Sequence, residues 1–110
     1  IYSHYKKMNP GILYMTFTKE EVAKFGEETY DVANYVKLIG NVKDYKVWVF
    51  FVERNDGKMV CEFRSNDYNV QSVAAKYGGG GHAHAAGVTV DRFGEDIINL
   101  ILNDLKDLIS

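Results

Sequence analysis

The 110-residue sequence contains one cysteine and one proline, and it has no long apolar run. With Cys61 as its single cysteine, the chain can form neither an internal disulfide nor a cysteine-rich zinc site, and we expect Cys61 to be a small buried residue of a strand. The longest apolar run, Val47–Val52, is too short to cross a membrane. The N-terminus also lacks a signal pattern, which favours the cytoplasm and predicts no membrane partner.

Neither sign of charge is in excess, because 13 Lys and Arg residues are matched by 15 Asp and Glu residues and the net charge is −2. Non-specific duplex binding needs a basic face with many phosphate contacts, so this balance argues against it. A small anionic ligand needs only one local site. The apolar share of 46% is that of a globular domain, and the length corresponds to one domain with its own core.

Hydrophobic periodicity and turn signals predict a mixed β-sheet flanked by helices, of α/β or α+β class, in the order β-α-α-β-β-α-β-α. The predicted elements are a strand over Ile12–Phe17, a short helix from a Thr18–Glu21 capping box to Gly26, a helix over residues 30–39, strands over Lys46–Glu53 and Lys58–Arg64, a helix over Val70–Tyr77 capped by Asn69, a strand over His82–Val90, and a helix from Gly94 to about Ile109. Residues 1–10 show no clean periodicity.

Three local patterns predict where the core lies. The second predicted strand is apolar at every position from Val47 to Val52, which indicates a central strand covered on both faces. Asn55-Asp56-Gly57 is a hairpin signal, and the returning strand places alternate residues on one face. The last helix carries a wide apolar stripe, which is either deeply packed or partly a partner surface, so a homodimer is left open.

The run Gly78-Gly79-Gly80-Gly81, followed by His82, is the least ordinary feature of the sequence. Four glycines are poor for stability, but they permit positive φ angles and a close approach of the backbone to a ligand. Consecutive free N–H groups in such a loop can form an anion-binding nest. The alternative is a flexible surface hairpin, although the small residues that follow favour a close approach.

Two further patterns hold candidate binding residues. Arg64 can grip a phosphate with two hydrogen bonds and Ser65 can add a hydroxyl, or Arg64 can simply pair with a nearby carboxylate such as Glu62. His82 and His84 would share a face of a strand, but further metal ligands are distant in sequence, so we expect no metal site in this chain. The sequence shows no catalytic triad and no two-metal cluster, and we expect the chain alone to be inactive.

Several of these motifs together resemble the DHH-associated C-terminal domain of DHH phosphoesterases, over about residues 11–108. The motifs are Glu62-Phe-Arg-Ser65, Asn69-Val70, Ala74, Tyr77-Gly-Gly-Gly-Gly-His82 and Ala85-Ala86-Gly87, with Val32-Ala-Asn-Tyr35 and Ile39-Gly40 upstream. The most similar branch comprises oligoribonucleases that also hydrolyse adenosine 3′,5′-bisphosphate, some of them labelled exopolyphosphatase-related. Within the set, the spacing of the glycine-histidine and Ala-Ala-Gly motifs is the specific part.

The resemblance implies that residues 11–110 are a substrate-binding domain and residues 1–10 the end of a linker from an upstream DHH domain. That domain would hold manganese and perform two-metal hydrolysis, and no cofactor would bind here. The ligand would be short RNA or a nucleotide bisphosphate. Its terminal nucleotide would be held by Gly78, Gly79, Gly80, Gly81, His82 and Arg64, with Ser65 beside the arginine. Because the chain begins at Ile1, we expect it to be a fragment or a processed chain.

Two other functions are compatible with the same resemblance. One is a non-catalytic nucleic-acid module of the kind found at the C-terminus of alanyl-tRNA synthetase, which would need a basic or dimeric surface. The other is a domain of a cyclic-dinucleotide phosphodiesterase, which would come with membrane and sensor segments upstream.

Overall fold

The computed structural model describes residues 5–8, 11–24 and 45–110. Within these residues, six strands form one mixed sheet in the order β1-β2-β3-β4-β6-β5, and three helices accompany it. The elements are β1 Tyr5–Met8, β2 Ile12–Phe17, α1 Lys19–Lys24, β3 Val47–Glu53, β4 Met59–Ser65, α2 Gln71–Lys76, β5 Gly80–His82, β6 Ala85–Val90 and α3 Glu95–Ile109. The predicted fold class is confirmed, while the helix predicted over residues 30–39 lies outside the described residues.

β3 lies inside the sheet, as its uninterrupted apolar sequence predicts. It pairs in parallel with β2 and antiparallel with β4, and every residue from Val47 to Val52 is buried. The turn after β3 is the predicted hairpin: Gly57 has a φ of +87° and donates its N–H to the carbonyl of Arg54 at 3.1 Å. This turn is where a glycine is needed for a left-handed backbone.

The sheet has two unlike faces. On one, here called the helix face, apolar residues from β2, β3, β4 and β6 pack against α2 and α3. In β4 this face carries the predicted alternate set, Met59, Cys61 and Phe63, all buried. The other, here called the opposite face, has a separate apolar cluster on β2 and β3 that includes Trp48 and Phe50.

The helix termini confirm one capping prediction and correct another. The Thr18 hydroxyl accepts the N–H of Glu21 at 3.1 Å, and the Glu21 carboxylate accepts the N–H of Thr18 at 2.8 Å, which is the predicted capping box of α1. The Asn69 cap of α2 was wrong. Val70 occupies the N-cap position with a helical backbone, and no side chain caps that end.

α3 buries most of its wide stripe against the helix face, through Ile98, Ile101, Leu102, Leu105 and Ile109. Among the described residues, Leu100 is the large apolar side chain that stays exposed, at 55%. Deep packing therefore accounts for most of the stripe. A homodimer through this helix stays a prediction.

Two edge strands depart from the sequence expectation. Residues 5–8 form β1 and pair antiparallel with β2, although 1–10 show no periodicity, because an edge strand is held by backbone hydrogen bonds and tolerates lysines. The single strand predicted over His82–Val90 is instead a hairpin of β5 and β6 that turns at Ala83 and His84. The glycine run therefore continues into a strand.

No helix within residues 5–8, 11–24 and 45–110 is long and apolar enough to cross a membrane.

Candidate functional site

The β5–β6 hairpin is held in place at its tip, so the glycine run does not end in a free loop. The carbonyl of Ala83 accepts the N–H of Val70 at 2.8 Å, and the carbonyl of His84 accepts the N–H of Ser65 at 3.1 Å. Ser65 is the last residue of β4, and Val70 directly precedes α2. These bonds set the position of β5 and His82, and they are not those of a loosely attached surface hairpin.

The first two glycines of the run end α2. The N–H of Gly78 donates to the carbonyl of Ala75 at 3.1 Å and the N–H of Gly79 donates to that of Ala74 at 2.8 Å, which is a Schellman motif. Gly78 has the left-handed φ of +94° that this motif needs. Because both N–H groups are used in this way, the predicted anion-binding nest cannot include them.

The space around the glycines differs from one position of the run to the next. A Cβ on Gly79 would lie 2.3 Å from the carbonyl oxygen of Gly87, and a Cβ on Gly81, where φ is +135°, would lie 2.7 Å from that of Ala85. These two glycines allow β5 to pack against β6. Gly80 has no heavy atom within 4 Å of its Cβ position, and its φ is not left-handed. The fold therefore leaves open space above Gly80.

The strand register brings Arg64 and His82 together on the opposite face. Arg64 pairs with Ala85, and Ala85 pairs with His82, so the three residues form one cross-strand row. Neighbouring strands lie about 4.8 Å apart, which puts the Cα atoms of Arg64 and His82 roughly 10 Å from each other. The sequence predicted both residues as ligand contacts, and the sheet places them at the two ends of this row.

The adjacent row on this face consists of Glu62, Gly87 and Gly80. Together the two rows form what we call the Arg64–His82 patch, made of Glu62, Arg64, Gly80, His82, Ala85 and Gly87. Three of its four positions on β5 and β6 are glycine or alanine, so the patch is a strip of nearly bare backbone with charged or polar side chains at its ends. Such a strip lets a flat ligand lie close to the main chain.

Arg64 forms an ion pair with Glu62 but has hydrogen-bond donors that the structure does not use. Its Nη1 lies 3.3 Å from Oε2 of Glu62 and donates to the carbonyl of Phe63 at 2.8 Å. Arg64 can therefore pair with Glu62 and still bind a phosphate, because the ion pair uses one nitrogen of a guanidinium that has five N–H donors. Within the described part of the chain, the side-chain hydrogen bonds of Arg64 all come from Nη1, which leaves Nε and Nη2 for a ligand.

Ser65 lies on the other side of the sheet. It is buried on the helix face, and its hydroxyl donates to the carbonyl of Tyr68 at 2.5 Å. The structure therefore does not place Ser65 beside Arg64, because successive residues of a strand point to opposite faces. Ser65 instead stabilises the turn after β4.

His82 and His84 do not form a pair on one strand face, because His84 belongs to the hairpin turn. Over residues 5–8, 11–24 and 45–110, no three His, Cys, Asp or Glu residues gather as they would around a metal ion. The manganese pair that the resemblance implies stays a prediction for a separate catalytic domain. Cys61 is buried on the helix face, and burial raises the pKa of its thiol to about 12.

Two further features were not predicted from the sequence. The indole N–H of Trp48, the neighbour of Arg64 in the same row, is buried and has no hydrogen-bond acceptor among the described residues. A cleft of about 250 Å³ lies between the end of β6 and the start of α3, lined in part by Tyr77 and Arg92. Arg92 is paired there with Asp96, and none of the predicted binding residues lines this cleft.

The end of α2, from which the glycine run begins, is anchored to α3 by Asp104. Lys76 Nζ lies 2.8 Å from Oδ1 of Asp104, and the Tyr77 hydroxyl donates to Oδ2. Burial opposes the charge on Asp104, but these two hydrogen bonds outweigh it and hold the pKa of the carboxyl below its usual range. Burial, with the bond to Asp104, raises the pKa of Tyr77 to about 12.

We expect Asp104→Asn to destabilise the chain at neutral pH, with a difference from wild type that shrinks in acid. A carboxyl whose pKa is lowered by folding stabilises the fold above its unfolded pKa, about 3.9, and this contribution is lost as the pH falls through the folded value. Urea unfolding of both proteins at pH 7 and pH 3 measures the two differences. Asp107→Asn, an exposed change on the same helix, is the control, and an Asp104→Asn difference that stays constant with pH would contradict the expectation.

Comparison with known proteins places these features in a family. Residues 9–110 match the model of the DHHA1 domain. The chain is 39% identical over 90 residues to the bifunctional oligoribonuclease and PAP phosphatase NrnA of Mycoplasma genitalium and 36% identical over 90 residues to NrnA of Bacillus subtilis. Each match covers 82% of this chain and 28% of the relative, so the chain spans less than a third of these proteins.

Solved structures show the same fold. An exopolyphosphatase-related protein from Bacteroides fragilis superposes with a TM-score of 0.82 at 23% identity, over 96% of this chain and 32% of that one. The pGpG-specific phosphodiesterase PggH from Vibrio cholerae superposes with a TM-score of 0.59 at 14% identity, over 94% of this chain and 34% of that one.

Proposed function

The chain belongs to the DHHA1 domain family, and we propose that it is the nucleotide-binding domain of a DHH-type phosphoesterase. Its ligand is the terminal nucleotide of a short oligoribonucleotide or adenosine 3′,5′-bisphosphate, bound over the Arg64–His82 patch. The relatives at 36–39% identity carry both activities in their names. The observation that carries the proposal is the register that aligns Arg64 and His82 across a bare strip of backbone.

Each part of the patch has a role in this proposal. Arg64 binds a phosphate through its Nε and Nη2 donors, since a guanidinium holds a phosphate with two parallel hydrogen bonds. His82, exposed at the other end of the row, donates to a phosphate or stacks on a base. Gly80 lets the nucleotide lie on the main chain, because there is open space above it.

The net charge of −2 suits this role, because one terminal nucleotide needs a local site and not a basic face. The domain orients the substrate and excludes water, and hydrolysis takes place in an upstream DHH domain that supplies the metal ions. The linker to that domain would then end before β1, because Tyr5–Met8 already belongs to the sheet and not to the linker predicted over residues 1–10. The whole protein would lie in the cytoplasm. The cyclic-dinucleotide alternative rests on a likeness of fold alone.

We expect a two-nucleotide RNA, pApA, to shift the backbone amide NMR signals of this chain at Arg64, Gly80 and His82. Gly80→Val should abolish binding while the chain stays folded, because the valine fills the space that the ligand needs and its Cβ has no heavy atom of the protein within 4 Å. The readouts are the amide shifts, the affinity by calorimetry and the urea unfolding midpoint.

Ala75→Val is the matched control, since it places the same side chain at an exposed position of α2. It should bind pApA like the wild type. Equal affinity of Gly80→Val and the wild type, or shifts confined to the cleft near Arg92, would contradict the proposed site.

A further inference from the structure

Glu62 is the acidic member of the Arg64–His82 patch, and its carboxylate lies above the bare strip. The side chain is 24% exposed, and Oε2 lies 3.3 Å from Nη1 of Arg64. The same oxygen would lie 3.1 Å from a Cβ built on Gly87, the partner of Glu62 in the neighbouring strand. The carboxylate therefore lies over β6 at Gly87, where a ligand bound on the patch would contact it.

A carboxylate at this position needs a hydrogen-bond donor from the ligand. An ionised carboxylate only accepts hydrogen bonds, and a phosphate brought to Arg64 is itself an anion that offers no donor. The row of Glu62 lies two residues along the strands from the row of Arg64, roughly 7 Å away. The sugar bonded to a phosphate in the Arg64 row is therefore within reach of the row of Glu62, and the sugar carries hydroxyl donors.

We propose that Glu62 selects ribonucleotides by accepting a hydrogen bond from the 2′-hydroxyl of the nucleotide bound over the patch. This deepens the proposed function and rests on it. Carboxylates accept ribose hydroxyls in other nucleotide sites, and the 2′-hydroxyl is the group by which proteins distinguish RNA from DNA. Glu62 is partly shielded from water, which strengthens a hydrogen bond to its charge.

The test compares three dinucleotides on the wild-type chain by calorimetry: pApA, its deoxy counterpart, and its 2′-O-methyl counterpart. A hydrogen bond to a charged acceptor corresponds to a preference of about tenfold or more. We expect pApA to bind about tenfold tighter than the other two, because neither of them can donate from the 2′ position. Equal affinities for all three would overturn the role of Glu62 without any mutation.

Variants of Glu62 distinguish two roles for this residue, selection of the ribose and orientation of Arg64. Glu62→Ala should lower the ribo-to-deoxy ratio to about one, and Glu62→Gln should retain part of the preference through its amide oxygen. Asp107→Asn removes one negative charge from an exposed site on α3 and should leave the ratio unchanged. If Glu62→Ala weakens both ligands equally, Glu62 only orients Arg64, and if it tightens both equally, Glu62 only competes with the phosphate. Either result contradicts the proposal.

The two proposals fail in different ways. Absence of binding of all three dinucleotides to the wild-type chain at millimolar concentration would overturn the proposed function, and the role of Glu62 with it. Binding to the patch without a ribose preference would overturn the role of Glu62 alone.

Discussion

We expect Gly79→Ala to be severely destabilising and the neighbouring Gly80→Ala to be nearly neutral. The added Cβ at position 79 would lie 2.3 Å from the carbonyl oxygen of Gly87 and 2.8 Å from Cα of Val88. These are backbone atoms of β6, which is held between β4 and β5, so they cannot move aside as a flexible side chain would. Forced overpacking of this kind costs about 3 kcal/mol or more of the free energy of unfolding.

Gly80→Ala is the matched control for that substitution. It adds the same methyl group one residue later, where no heavy atom lies within 4 Å. Surface changes of this kind stay within about 0.5 kcal/mol of the wild type. Urea unfolding of the three proteins measures the differences, and similar midpoints for both variants would show that β5 does not pack on β6 as described.

The contrast between these two positions shows what sequence reasoning misses in a run of identical residues. The sequence indicated that the four glycines serve a close approach, but it could not say what approaches which glycine. The structure assigns Gly78 to the end of α2, and Gly79 and Gly81 to contact with β6. Gly80 alone is left for a ligand, because which glycines meet β6 depends on a hairpin that sequence periodicity did not predict.

Much of the fold could be predicted because the relevant signals are local. The buried centre of the sheet follows from the apolar run of β3, the capping box of α1 from four consecutive residues, and the hairpin from Asn55-Asp56-Gly57. β1 and the separate β5 could not be predicted, because edge strands rely on backbone pairing and show no pattern of alternation.

The candidate site could be predicted as a set of residues but not as a surface. Arg64 and His82 were indicated both by their local sequence and by the family motifs, and only the register of three strands places them in one row. The same register separates Ser65 from Arg64, since one step along a strand changes the face. Glu62 was considered only as a partner of Arg64, because its position over Gly87 depends on contacts between strands.

Removing Arg64 should cost the domain most of its affinity for a nucleotide. If Arg64 holds a charged phosphate, Arg64→Ala should weaken binding of pApA by about 1.5–3 kcal/mol, roughly 10- to 150-fold. Arg64→Lys should recover only part of this loss, because an ammonium retains the charge without the planar fork that binds two oxygens at once. Calorimetry on the chain measures both values.

The ion pair with Glu62 adds a second cause for any loss of affinity in Arg64→Ala, and a double variant separates the two causes. Arg64→Ala leaves the half-buried carboxylate of Glu62 without its partner, so part of the lost affinity could come from repulsion between that carboxylate and the phosphate. The double variant Glu62→Ala/Arg64→Ala removes the repulsion, and it should still bind pApA weakly if Arg64 contacts the phosphate. Arg92→Ala removes an arginine that is paired with Asp96 and lies outside the patch, so it should bind normally. Wild-type affinity in the double variant would mean that Arg64 serves only to neutralise Glu62, and the phosphate would then have to bind elsewhere on the patch.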